Sequence, residues 1–222
     1  MKSVYDLGEV AEKYTIKMDG CHGCPIHCYS DLRVEGTKET TGYETAGNTC
    51  AANFPVSVYM EPFLKMGLKD DGDLSILWDT TTSNTMDNLG LWCNYAQLYR
   101  DIAYCHANGV FKRVLPEAEY ASIDWGKFDA DRRDPTVMIE ILTKIAQNDS
   151  EISYLAHGPY VWCERWNEQA WFDNAKSTLV NYRGWPVHHS IECFGQVGAV
   201  YNMMFNRDDM IHSAVNFQGC GL

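Results

Sequence analysis

The chain has 222 residues, nine cysteines and a formal net charge of −12. That length can bury a sizeable core in one large domain or two small ones, and 45% hydrophobic with 13% aromatic residues excludes a disordered chain. The acidic balance argues against nucleic acid and anionic membrane surfaces as partners, and no run of about 18 apolar residues is present to span a bilayer. The first twenty residues carry acids and no apolar core, so no signal peptide is expected. Free thiols on an acidic chain suit a reducing, cytoplasmic setting.

Val4 to Tyr14 is predicted as an amphipathic helix, with Val4, Leu7, Val10 and Ala11 on one face. Met18-Asp19-Gly20 is predicted as the turn that ends it. Cys21-His22-Gly23-Cys24-Pro25-Ile26-His27-Cys28 follows, three thiols at C-x2-C-x3-C spacing. Thiolates select iron–sulfur clusters, zinc or Cu(I) over hard cations. Gly23 frees the backbone to turn between the first two ligands, and Pro25 stiffens the exit. A loop wrapped on an iron–sulfur cluster is one reading. Zinc, with Cys28 or His27 as third ligand, is another, although structural zinc usually brings a second CxxC or CxxH pair. A disulfide knot fits poorly with an odd cysteine count.

Ser30 to Val34 reads as a short extended piece closed by Glu35-Gly36. Thr40 to Thr45 contains Glu44, which alone reads as a surface or helix-start carboxylate. Asp71-Gly72-Asp73 is a loop and N-cap before a helix from about Leu74 to Asn88, broken by Gly90 and Leu91. A second helix is expected from about Tyr95 to Asn108, with Leu98, Ile102, Ala103 and Cys105 at helical spacing and Gly109 as its C′ residue. Cys93 and Cys105 read as buried small hydrophobes. Pro116 to Arg133 lacks periodicity and marks a boundary between two lobes, 1–115 and 116–222.

Asp134-Pro135 starts a buried helix carrying Val137, Ile139, Ile141, Leu142 and Ile145. Trp162, Trp166 and Trp171 form a stripe that reads as core. Asn181 to His189 is a loop whose His188 and His189 could be ligands, although paired loop histidines are more often solvated, and a last pair of helices is expected from about Gly198 to Asn206 and Asp208 to Phe217. Strand signals are few, so the fold class is all-α, a multihelical array.

The ordered series C-x-x-C-P-I-x-C, Tyr43-Glu44-Thr45 and Asp87-Asn88-Leu89-Gly90-Leu91 resembles the aldehyde ferredoxin oxidoreductase family of tungsten or molybdenum pterin enzymes. The resemblance implies that Cys21, Cys24 and Cys28 supply three ligands of a [4Fe-4S] cluster. It implies that Asp87, Gly90 and Leu91 contact a bis-pterin cofactor through a D-x-x-G-L-D motif, with Trp92 standing where the family often has Asp. Asn206 to His212 is similar to the segment that brings a pterin-binding carboxylate, Asp208, and an active-site imidazole, His212, to the metal. Glu44 would be the active-site carboxylate. Glu44 and His212 suit proton transfer in oxidising an aldehyde to an acid. Ferredoxin or a similar subunit would be the electron acceptor, and a homodimer is one implied assembly. The family's amino-terminal pterin-binding domain is absent from this series, so the chain alone is expected to be inactive. The competing expectations are a non-catalytic iron–sulfur electron-transfer or scaffold subunit and a zinc-stabilised helical interaction domain.

Overall fold

A computed structural model describes residues 12–19, 29–49, 73–91, 97–130, 134–176, 181–182, 185–186 and 196. Helices dominate, with a small sheet near the start. The sheet is an antiparallel meander of β1 (Thr15–Asp19), β2 (Tyr29–Leu32) and β3 (Ala46–Thr49). β1 pairs with β2 from Thr15↔Leu32 to Asp19↔Tyr29, with an irregularity between Thr15 and Lys17. This corrects the expected turn: Met18 and Asp19 are the end of a strand, paired with Ser30 and Tyr29. The Asp-Gly signal terminates an extended piece there, not a helix. Only Glu12 to Tyr14 of the first predicted helix are described, and they are helical. Tyr14, Leu32 and Val34 bury their side chains beneath the sheet's start.

Between β2 and β3 lies α1 (Thr37–Thr41), which the sequence reading did not anticipate. Its threonines are weak helix formers, but Thr40 and Thr41 hydroxyls donate to the carbonyls of Gly36 and Thr37, each at 2.8 Å. Gly36 enters the turn at φ 91°, tight against Leu77.

The central helix α2 (Asp73–Asn88) packs on α1, β3 and the later helix α7 (Pro135–Gln147). Thr80 to Ser83 are buried on α2. Burial is tolerable because the hydroxyls of Thr81 and Thr82 donate to Leu77 and Trp78 carbonyls at 2.6 and 2.8 Å. The Tyr99 hydroxyl adds a bond to Thr82 Oγ1 at 2.8 Å.

Beyond α2 come α3 (Gln97–Ala107), α4 (Val110–Val114), α5 (Glu117–Ala121) and α6 (Trp125–Ala130). Gly109, at φ 68°, ends α3 and opens α4. The stretch expected to be an irregular junction therefore carries two short helices, with Ile123 buried between them and Trp125 and Phe128 buried on the second. α7 begins as expected: Asp134 accepts the Thr136 backbone N–H at 2.8 Å and Pro135 takes the first position. Val137, Met138, Ile141, Leu142 and Ile145 line its buried face.

A 3-10 helix (Glu151–His157) follows. Its first amides are capped from outside, because the Glu119 carboxylate of α5 accepts Glu151 and Ile152 N–H at 3.2 and 2.9 Å. The tryptophan-rich stretch is two helices, α8 (Pro159–Trp166) and α9 (Gln169–Lys176), separated where Asn167 turns left-handed at φ 58°. A two-residue hairpin pairs β4 (Asn181–Tyr182) with β5 (Trp185–Pro186) inside the predicted loop. Buried residues on both sides of Pro116 join one core, with Met86, Leu98 and Phe111 before it and Met138, Ile141 and Leu155 after it. Among the described residues, no helix is long and apolar enough to cross a membrane.

Candidate functional site

The cysteine segment is bracketed by described structure. Asp19 and Tyr29 are strand partners, so the nine residues from 20 to 28 leave and re-enter the sheet at adjacent positions. Partners across an antiparallel pair lie about 4.5–5.5 Å apart. Cys21, Cys24 and Cys28 themselves lie outside the described residues, as do Trp92, Asp208, His212, His188, His189 and the last predicted helices. Three thiols in one short connection with fixed ends suit a thiolate-ligated cluster or zinc. Among the described residues, no group of three or more His, Cys, Asp or Glu side chains could hold a metal ion.

Glu44 lies in the link between α1 and β3. Its carboxylate pairs with the Lys38 ammonium, with 67% and 62% of the two side chains exposed. At that exposure the pair orients the carboxylate but adds little stability. Asp87 sits in the last turn of α2 and is exposed. No described group bonds its carboxylate.

Gly90 and Leu91 have a clear local role. Gly90 N–H donates to the Asp87 carbonyl at 3.0 Å, and Leu91 N–H reaches back to the Met86 carbonyl at 2.9 Å. Gly90 adopts φ 69°. This is the doubly bonded glycine cap of a helix, with partly buried Leu91 and buried Met86 supplying the apolar contact that accompanies it. The D-N-L-G-L segment thus ends α2 sharply and leaves Asp87 projecting at the helix end. α1 and β3, which flank Glu44, both pack on α2, so one helix supports both carboxylate-bearing segments.

A second polar cluster was not foreseen. Asp101 of α3 is fully buried and accepts the indole N–H of Trp162 at 3.1 Å and of Trp171 at 2.9 Å. Beside it the Tyr104 hydroxyl donates to Glu168 at 2.6 Å, and Arg113 pairs with the same carboxylate. Burial first, then the Glu168 hydrogen bond, push the Tyr104 phenol well above its usual value. Cys105 and Cys163 are buried free thiols, pushed up by burial and then by the Asp101 charge. Both sit as buried small side chains, as expected for Cys105. The sequence does hold one signal for this cluster: Asp101 lies three residues after Leu98 and one before Ile102, on the apolar face of α3.

No solved structure matches the chain. The family model described as aldehyde ferredoxin oxidoreductase, domains 2 & 3, matches residues 3–187.

Proposed function

Because the chain belongs to the aldehyde ferredoxin oxidoreductase family over the part described as domains 2 and 3, we propose that it is the helical portion of an iron–sulfur, tungsten- or molybdenum-pterin oxidoreductase. Its substrate class is an aldehyde, and its electron acceptor a ferredoxin or similar subunit. One observation carries the reading beyond family membership. The strand pair Asp19↔Tyr29 ties together the ends of the segment bearing Cys21, Cys24 and Cys28. A loop closed at its base spends less entropy in gathering three ligands than a free tail does.

In this reading Cys21, Cys24 and Cys28 hold the cluster, and Asp87, Gly90, Leu91, Trp92 and Asp208 face the pterin. When bound, these groups supply two-electron redox chemistry and a one-electron exit. The chain's own residues do the rest. The helix cap at Gly90 fixes where α2 stops, and so where the Asp87 carboxylate can accept pterin N–H groups. Glu44 and His212 act on protons at the substrate, typically worth roughly 10²–10⁴-fold in rate. Lys38 holds the Glu44 carboxylate until a substrate or cofactor group displaces it.

The experiment is metal analysis of protein purified without oxygen. Brown protein with iron and acid-labile sulfide, both lost in Cys24→Ser, is the expected result. Stoichiometric zinc without sulfide would overturn the cluster assignment.

A further inference from the structure

One group of side chains has no part in the chemistry above. Aromatic rings run through the helical array without a break. Trp171 stacks on Tyr104 with centroids 4.3 Å apart and planes at 18°. Tyr104 lies 6.4 Å from Trp162, and Trp162 lies 5.4 Å from Trp166. Phe111 continues the series to Trp125, which stacks on Tyr120 at 5.4 Å. Trp162 and Trp166 are buried, whereas Trp171 and Tyr120 at the two ends are partly exposed.

Packing explains the rings but not their polar partners. Trp125 shows what packing alone requires: its indole N–H donates to the backbone carbonyl of Tyr120 at 2.9 Å. Four other members meet carboxylates. Trp162 and Trp171 share Asp101, Trp166 donates to Glu151 at 2.9 Å, and Tyr104 donates to Glu168. Burying the Asp101 carboxylate costs far more than satisfying two indoles demands. A carboxylate does one thing here that a carbonyl cannot. It stabilises positive charge on a ring that has lost an electron, and it can take that ring's proton.

We propose that Trp171, Tyr104 and Trp162, with Asp101 and Glu168, form a relay for oxidising equivalents that ends as a neutral phenoxyl radical at Tyr104. The balance is simple. A strong one-electron oxidant of the reactive-oxygen class takes one electron from the Trp171 ring; because the Arg100 guanidinium lies 5.8 Å from the ring centroid and opposes positive charge there, Trp171 gives its indole proton to Asp101 Oδ1 and becomes a neutral radical. Tyr104 gives one electron to Trp171, Asp101 returns the indole proton, and Tyr104 passes its phenol proton to Glu168 Oε2. The oxidant is reduced by one electron; Tyr104 has lost one electron and one proton; Glu168 holds the proton. A soluble thiolate then supplies one electron, Glu168 returns the proton, and the thiolate leaves as a thiyl radical. The relay carries an oxidising equivalent from the partly exposed Trp171 ring to Tyr104, where a soluble thiolate reduces it, and it stands whether or not the cluster assignment holds.

The test uses the whole chain with photogenerated tris(bipyridine)ruthenium(III), rapid freezing and electron paramagnetic resonance. The chain has 13 tyrosines, and Tyr43 and Tyr160 are far more exposed than Tyr104, at 58% and 56%. Indiscriminate oxidation would therefore mark exposed tyrosines such as these before Tyr104. The expected result is a tyrosyl signal in the natural chain, lost in Tyr104→Phe in favour of a tryptophanyl signal, and unchanged in Tyr160→Phe. Trp171→Phe and Glu168→Gln lower its yield severalfold, and heavy water slows its appearance in the natural chain. An undiminished tyrosyl signal in Tyr104→Phe, no radical at all, or no solvent isotope effect would overturn the relay.

Discussion

Replacing Gly90 by Ala probes whether the segment from Asp87 to Leu91 is built as a helix cap. Gly90 holds φ 69°, and a Cβ placed there meets nothing within 4 Å. The loss is therefore purely that of forcing an L-residue into the left-handed region, about 1–2 kcal/mol. Asn visits that region more readily, so Gly90→Asn should recover about half of the loss. Gly36 makes the contrast. Its φ is 91°, and an added Cβ would lie 2.9 Å from Leu77 Cδ2. Leu77 is partly buried against the core and must leave its rotamer, adding about 1 kcal/mol. The expected order of destabilisation is Gly36→Ala, then Gly90→Ala, then Gly90→Asn. Urea unfolding followed by circular dichroism measures it, with unchanged slopes showing that only stability moved. Equal losses for Gly90→Ala and Gly90→Asn would refute the backbone argument, and no loss would refute the cap.

Two further outcomes follow from termini and charges. Asp134→Ala removes the side chain that caps α7, and should lower stability by about 1 kcal/mol in the same urea assay. The Arg165 hydrogen bonds, opposed by burial and aided by the Trp166 indole, hold the Glu151 carboxyl below its ordinary value of 4.5. A lowered folded value stabilises the protein above 4.5, and that contribution is lost as pH falls through the folded value. Melting temperature should therefore fall less steeply below pH 4.5 in Glu151→Gln than in the natural chain; parallel curves would count against the pairing.

Long periodic stretches were legible because their information is local. α7 carries a capping Asp, a first-position Pro and apolar residues at helical spacing, and the helix forms where those signals place it. α2 and α3 were likewise readable from their faces and from Gly90 and Gly109 at their ends. α6 was missed because Trp125 and Phe128 bury without periodicity and gain their helicity from the core, and α5 because its five residues bury no side chain fully and so show no apolar face. α1 was missed for a related reason: five residues with three threonines hold a helix only when packed against α2.

The candidate site divides along the same line. Three closely spaced thiols are visible in any reading of the sequence, yet the feature that closes their loop is not. Thr15 to Asp19 has no strong strand pattern, since Ile16 and Met18 are half exposed and the preceding helical pattern runs up to it. It becomes a strand because Tyr29 to Leu32 is there to pair with it. The buried Asp101 is a harder case. Periodicity places it on the apolar face of α3, where a carboxylate alone would be too costly to keep. Its indole partners are 61 and 70 residues further along the chain. No local window contains both the charge and the groups that make it tolerable. A buried carboxylate on an apolar helix face is thus a sequence-level contradiction whose resolution is tertiary, and here the resolution brings Tyr104, Trp162 and Trp171 to one place.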